Sequence, residues 1–502
     1  MSEPFYITTA IAYPNGRPHI GHAYEAIAAD VIARFMRAEG RDVRLVTGTD
    51  EHGLKMVQTA RGQGRETLEF ADEMSGYFRQ MCDELAISYD AFVRTTEERH
   101  HAASIALWKA MEANGDLYLD RYEGWYSVRD EAFYDEKELI AGEGGEKLSP
   151  QGTPVEWTVE ESWFFKLSNY AERLLAHYEA NFDFIRPESR RNEIVRFVEG
   201  GLKDLSVSRT SFDWGVPVPG SPGHVMYVWV DALTTYMTGV GFPDDRAEYD
   251  RFWPADLHLI GKDIVRFHAV YWPAFLMSAK LPLPKSLFGH GFLLARGEKM
   301  SKSLGNVVDP RELARTYGVD SLRYFLMREV SFGQDGSYSD EAIVTRCNAE
   351  LANSFGNLAQ RTFSMIVKNL DGVVPPAGKS AADRDLLDKV SQAEEEAKAR
   401  FADYDFSAGL DAWMNAVFAA NAYVDAQAPW ALRKTDPARM GEVLGTLVAA
   451  VERLGGIVAP VVPGSIAKLD AYLTEGRAAG RLSQPSPIFP RLELAAAADE
   501  EA

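Results

Sequence analysis

Ala10-Ile11-Ala12-Tyr13-Pro14-Asn15-Gly16-Arg17-Pro18-His19-Ile20-Gly21-His22 follows a β-branched and aromatic run, Phe5 to Thr9. It leads into a helical pattern in which Ile20, Ile27, Val31 and Phe35 share one face. Pro14, Asn15, Gly16 and Pro18 force a turn between the two. The stretch reads as strand, turn and helix, and it sets His19 and His22 beside a helix N-terminus. Backbone N–H groups and the helix dipole favour a phosphate there. Two imidazole donors suit a polyphosphate whose charge grows during reaction. A turn whose histidines cap the helix or face water would read the same way, so the stretch alone leaves both readings open.

The pattern repeats outward from there. A strand from Val43 to Thr47 ends in Gly48-Thr49-Asp50-Glu51-His52-Gly53, and an apolar run at Ala91 to Val93 precedes a helix from about His101 to Ala113. Such alternation predicts an α/β fold with a doubly wound, parallel, Rossmann-like sheet. Ligands bind such sheets at the carboxyl ends of the strands, where Tyr13 and Asp50 fall. From Asp116 the pattern changes: Tyr122 to Phe133 and Val155 to Leu167 read as antiparallel strands of an insertion, with helices near 170–180 and 188–199. The sheet resumes with expected strands at Met226 to Val230 and Leu257 to Ile260, then a helix presenting Ile264, Phe267, His268 and Tyr271. Asp309-Pro310 reads as a helix cap with proline at the first position, and Asp320 as a second cap. Beyond Cys347 the chain reads as helices near 347–369, 383–403, 407–426, 437–457 and 464–474. Expected domains are 1–115, the first half of the sheet domain; 116–225, an inserted connective domain; 226–295, the second half; 296–346, a lysine-loop region; and 347–502, a helical bundle.

Composition bounds the class. Across 502 residues, 46% are hydrophobic and 11% aromatic, ample for several folded cores. No apolar run reaches membrane-spanning length and no signal segment is evident, so the expectation is a cytoplasmic protein. The only cysteines, Cys82 and Cys347, cannot form a disulfide framework or a metal knuckle, and both read as buried apolar residues. A formal charge of −21 predicts weak non-specific binding to nucleic acid while leaving room for a restricted RNA surface.

A second stretch narrows the function. Lys299-Met300-Ser301-Lys302-Ser303 follows the apolar run Leu287 to Leu294. Two lysines about a small hydroxyl-bearing loop can close over a triphosphate and donate to departing pyrophosphate. His19-Ile20-Gly21-His22 followed by this loop resembles the paired signatures of class I aminoacyl-tRNA synthetases. Thr49-Asp50-Glu51-His52-Gly53, Tyr227-Val228-Trp229-Val230-Asp231-Ala232 and Gly261-Lys262-Asp263-Ile264-Val265-Arg266-Phe267-His268 resemble the methionyl-tRNA synthetases in particular.

That resemblance covers roughly Phe5 to Leu473 and implies a methionine–tRNA ligase using ATP with Mg²⁺. It assigns His19, Gly21, His22, Lys299, Ser301 and Lys302 to ATP, with His19, His22, Lys299 and Lys302 as the catalytic set. Ile11, Tyr13, Asp50, Trp229, Ala232, Leu233, Tyr236, Ile264 and His268 are implied to bind methionine, Asp50 through the ammonium. Leu233 departs from the proline of the family pattern. Asn357, Arg361 and Trp430 match anticodon-reading positions, and amide, guanidinium and indole suit unstacked RNA bases. Many relatives hold zinc on cysteine pairs in the insertion; Tyr126-Ser127-Val128-Arg129-Asp130 stands there instead, so no zinc or other metal is expected. Methionine, ATP and tRNA(Met) are the implied partners, without a membrane, and a monomer is expected. The rival readings are a synthetase for isoleucine, valine or leucine, disfavoured by the short insertion, a nucleotidyltransferase acting on no RNA, and an inactive tRNA-binding module.

Overall fold

The computed structural model describes residues 2–130, 132–295 and 308–494. These form two compact units: residues 1–29, 36–83 and 87–290, and residues 30–35, 84–86 and 291–502.

The first unit is built on a six-stranded, wholly parallel sheet. Its spatial order is Ala91–Arg94, Asp42–Thr49, Pro4–Thr9, Leu257–Gly261, Leu287–His290 and Ile185–Arg186. Pro4–Thr9 pairs on one side with the next strand of the sequence and on the other with a strand 250 residues away, Ile7 facing Leu257. The strand order therefore reverses beside Pro4–Thr9, which is where an open α/β sheet offers a crevice. Helix Ile20–Ala38 follows this strand, and Ile20, Ile27 and Val31 on its inner face are fully buried. The doubly wound parallel fold read from the sequence is thus the observed one.

The expected antiparallel insertion is present. Leu117–Ser127 pairs along its length with Glu156–Phe165, flanked by Leu205–Ser206 and Ala132–Tyr134. Within this stretch, Ile185–Arg186 returns to become the edge of the parallel sheet. At the far turns, four polar residues knot together. Asp130 Oδ2 accepts from Ser149 Oγ at 2.6 Å and Thr153 Oγ1 at 2.5 Å, while Ser127 Oγ lies 2.7 Å from Thr153 Oγ1. Tyr134 adds a third hydroxyl to the same carboxylate.

Two local expectations need correction. Met226 to Val230 is not one strand: a short strand, Val225–Met226, gives way at once to helix Val228–Thr238. Ten of that helix's eleven residues are buried, so burial on every side hides its period from the sequence. Asp320 does not cap its own helix, whose N-cap is Gly318. Its carboxylate instead accepts from the N–H groups of Gly464 and Ser465, at the start of helix Pro463–Ala478. Asp309 does cap Pro310–Tyr317, accepting from Arg311 N at 2.9 Å.

Among its described residues the second unit is helical apart from a two-stranded ribbon, Leu293–Ala295 with Gly336–Tyr338. Its longest helices are Ala381–Ala402, Phe406–Gln427 and Pro437–Val458. Trp413 is fully buried among them, and its indole donates to Leu454 O at 2.9 Å. Fully buried Arg323 pairs with Asp30 at 2.6 Å and donates to the carbonyls of Leu85, Pro460 and Val461, so every face of this costly buried cation is answered. Cys82 and Cys347 are both buried and unbonded to each other. No described helix is long and apolar enough to cross a membrane.

Candidate active site

Backbone bonds splice the turn after the first strand to the end of its neighbour. Ala12 N donates to Gly48 O at 3.0 Å, and Asp50 N to Ala12 O at 2.9 Å. Ile11, Tyr13 and Asp50 are thereby gathered at the carboxyl ends of Pro4–Thr9 and Asp42–Thr49. Tyr13 packs, with Tyr77 and Trp214, on a small cluster of Met56, Ala60, Phe70, Ala71 and Met74.

The helix that opens at Ile20 carries the imidazole pair. His19 N donates to His22 Nδ1, and Gly21 N to His19 Nδ1, both at 3.1 Å. An N–H cannot bond to a protonated ring nitrogen, so each neutral imidazole keeps its proton on Nε2. The rings lie 3.8 Å apart by centroid, and His22 also meets the Phe78 ring edge at 5.0 Å. A Cβ at Gly21 would sit 2.9 Å from His19 Cε1, which is why a glycine separates the two. The pair therefore offers two oriented N–H donors beside the first turn of a helix.

Across the reversal in strand order lies an aromatic cluster. The chain after Leu257–Gly261 forms a 3₁₀ turn, Lys262–Ile264, and then a π-helical turn, Phe267–Tyr271. Such wide turns recur at functional sites. Trp229 stacks on Phe267 at 4.0 Å with 6° between planes, and its edge faces His268 at 5.8 Å. Tyr236 and His268 are joined by a 2.6 Å bond between phenol oxygen and Nε2. The Ile264 carbonyl, 2.9 Å from His268 Nδ1, can only accept, so Nδ1 carries the proton and Nε2 receives the Tyr236 hydroxyl. Burial pushes His268 down to about 4, despite the opposing bond to Ile264, and the imidazole is neutral near pH 7. Tyr236 is pushed far up by burial, reinforced by the nearby carboxylates of Glu25 and Asp50. Ala232 and Leu233 are buried on the same helix as Trp229 and Tyr236.

Charges that the sequence did not single out surround these groups. Glu25 meets His290 Nε2 at 2.8 Å; burial raises its carboxyl, the imidazole opposes the rise, and Asp263 adds to it. Glu51 is fully buried and accepts from Arg94 Nε, Arg94 Nη2, Thr49 and Thr96 at 2.6–2.9 Å. His52 and His100 share the Asp231 carboxylate, each at 2.6 Å. Apart from Thr49 and Glu51, these partners are dozens to hundreds of residues apart, so no local spacing marks them.

Lys299, Ser301 and Lys302 lie outside the described residues. In the second unit, Asn357 is exposed at the start of helix Asn357–Asn369, and Arg361 follows one turn on. The Arg361 guanidinium lies 5.8 Å from the ring of Trp430, which opens the short helix Pro429–Thr435 and is 51% exposed. A half-buried guanidinium, 3.8 Å from Asp425, beside an exposed indole makes a surface suited to stacking. Among the described residues no group of three acidic, histidine or cysteine side chains could hold a metal ion.

The chain is similar over nearly its whole length to known proteins. Residues 5–363 match the family model described as tRNA synthetases class I (M). The methionine–tRNA ligase of Brucella suis is 57% identical over 97% of this chain and 98% of its own. That of Mesorhizobium japonicum is 58% identical over the same shares. Among solved structures, a Mycobacterium tuberculosis methionyl-tRNA synthetase in complex with methionyl-adenylate superposes with a TM-score of 0.94, at 54% identity, covering 97% of this chain and 100% of that one.

Proposed function

The chain belongs to the class I tRNA synthetases of the methionyl group, and from that membership we propose that it activates methionine with ATP and passes the methionyl group to tRNA(Met). The observation that supports the amino-acid choice is the aromatic cluster of Trp229, Tyr236, Phe267 and His268. Aromatic faces attract a polarizable thioether, and a buried neutral imidazole–phenol pair adds polarity without charge. Ile11, Tyr13, Ala232, Leu233 and Ile264 complete its wall, and the Asp50 carboxylate receives the ammonium.

Activation joins the methionine carboxylate to the α-phosphorus of ATP as pyrophosphate departs. Such a displacement needs placement and charge stabilisation rather than an enzyme nucleophile. The Nε2–H groups of His19 and His22 donate to the phosphates, with Gly21 allowing close approach. Lys299, Ser301 and Lys302 hold the leaving pyrophosphate. Mg²⁺ enters with ATP and supplies counter-charge to the phosphates. A terminal ribose hydroxyl of the tRNA then attacks the methionyl carbonyl and AMP leaves. Asn357, Arg361 and Trp430 read the anticodon. We place this activity in the cytoplasm, on a single chain.

Pyrophosphate exchange into ATP, run with each amino acid in turn, tests the reading. Methionine alone should support exchange, and Lys302→Ala should abolish most of it with melting temperature unchanged. Exchange driven by isoleucine, valine or leucine would overturn the assignment.

A further inference from the structure

Asp231 is a fully buried carboxylate that lies on the methionine-site helix but points away from the site. It follows Trp229 by two residues, about 200° round the helix at 3.6 residues per turn, so it cannot line the wall that Trp229 and Tyr236 share. Its oxygens are divided between two imidazoles on different elements. Oδ2 meets His52 Nδ1 and Oδ1 meets His100 Nε2, each at 2.6 Å. Burial penalises the charged carboxylate, yet the two imidazoles outweigh that penalty and hold Asp231 well below the usual carboxylate range. His100, on helix Glu98–Ala113, is itself fixed by Thr238 at 3.0 Å and Ser104 at 3.2 Å, and Thr238 ends the Asp231 helix. His52 belongs to the loop that carries Asp50.

That loop is pinned at every other residue. Thr49 and Glu51 are locked into the bonds with Arg94, Thr96 and Ser75. The indole of Trp214 donates to Glu51 O at 2.7 Å and faces the His52 ring at 5.5 Å. Of these anchors, only the His52–Asp231 bond runs to the helix bearing Trp229 and Tyr236. The ammonium and thioether ends of one amino acid must be met at a fixed separation, and a displacement of about 1 Å costs on the order of a hundredfold in rate.

We propose that Asp231 is a positioning residue, which through its bond to His52 sets the distance between the Asp50 carboxylate and the aromatic wall that receives the methionine side chain. The proposal rests on Asp50 as the ammonium partner and deepens that reading. Asp231 touches no substrate, and its effect passes through His52 to Asp50.

Removing Asp231 outright would leave two buried imidazoles without their acceptor and threatens folding, so the test uses His52. His52→Ala breaks the link, and His52→Asn keeps an N–H near the Nδ1 position. Methionine-dependent exchange is measured with competing methioninol, which carries ammonium and thioether, and with 4-(methylthio)butanoate, which lacks the ammonium. In His52→Ala, KM for methionine and Ki for methioninol should rise by roughly ten- to a hundredfold. KM for ATP and Ki for the butanoate should stay near wild type, and His52→Asn should recover most of the loss. Unchanged KM for methionine with a lowered melting temperature would make the link a matter of packing alone and overturn the proposal. Equal weakening of both inhibitors would also overturn it, by showing collapse of the whole pocket. Asp50→Asn separates the two levels. If it too fails to distinguish the inhibitors, the ammonium assignment falls; if it distinguishes them and His52→Ala does not, only the role of Asp231 falls.

Discussion

His268 and His258 are each kept neutral by burial, while a donor on one ring nitrogen and an acceptor at the other fix the tautomer. The Trp272 indole can only donate, so it fixes His258 Nε2 as an acceptor at 3.3 Å, and Nδ1 faces Thr8 at 2.7 Å. The consequence is a defined acid sensitivity. An unfolded chain's imidazole protonates near its ordinary value of 6.5, whereas buried His268 does so only at about 4. Between those values the unfolded state binds more protons, so stability falls as pH drops through that window and is flat above it. His268 alone contributes on the order of 3 kcal/mol to this loss. His268→Gln, whose carbonyl can still accept from Tyr236, should show a correspondingly smaller difference in urea stability between pH 7 and pH 4.5. The acid sensitivity of His268 was not legible in the sequence, although the residue itself stood out by its position in a matched segment. Asp231 did not stand out, because its partner His52 is 179 residues away. His19 and His22 could be read because the turn that orients them is local, written in Pro14, Gly16 and Pro18.

At the scale of elements, close approach between neighbouring strands limits what can stand at Gly48. A Cβ there would lie 1.9 Å from the carbonyl oxygen of Val93, on the adjoining strand, and backbone cannot swing aside as a side-chain tip can. Gly48→Ala should therefore cost at least about 1–3 kcal/mol, read as a lower melting temperature, and should weaken methionine binding because the displaced strand end carries Asp50. The knot of Ser127, Asp130, Ser149 and Thr153 gives a second expectation. One carboxylate satisfied by hydroxyls holds the two turns together, and hydroxyls are poor substitutes for thiolate at zinc. A zinc-selective chelator, removed before assay in excess Mg²⁺, should leave melting temperature and exchange activity unchanged, and elemental analysis should find no stoichiometric zinc. Asp130→Ala should loosen the hairpin, seen as faster amide exchange over 127–153. Elements with a clear period, such as Ile20–Ala38, were legible from their apolar face. Val228–Thr238 was not, since a helix buried on all sides shows no apolar stripe and opens with the same β-branched and aromatic run as a strand.

For the whole molecule, the α/β class and the helical C-terminal portion followed from where alternation stops. The partnership of Asp30 with Arg323 within the second unit did not, because a single buried ion pair leaves no periodic trace. Methionine binding and anticodon reading fall in different compact units by our assignment, so they should separate by mutation. Trp430 is half exposed, and Trp430→Ala should change stability by no more than about 0.5 kcal/mol. Loss of a stacking ring should cost roughly 1–3 kcal/mol of RNA binding, lowering tRNA charging about tens-fold while pyrophosphate exchange continues. A melting temperature that drops with charging intact would place the ring in packing instead. The pairing of Ile7 with Leu257 also bears on how the chain is made. A ribosome adds about 5–20 residues each second, so the first strand emerges tens of seconds before its far-side partner exists. Throughout that interval one edge of Pro4–Thr9 is an open template for any other extended chain. Productive birth of the enzyme thus depends on translation speed and on whatever shields that edge until residue 261 has left the exit tunnel.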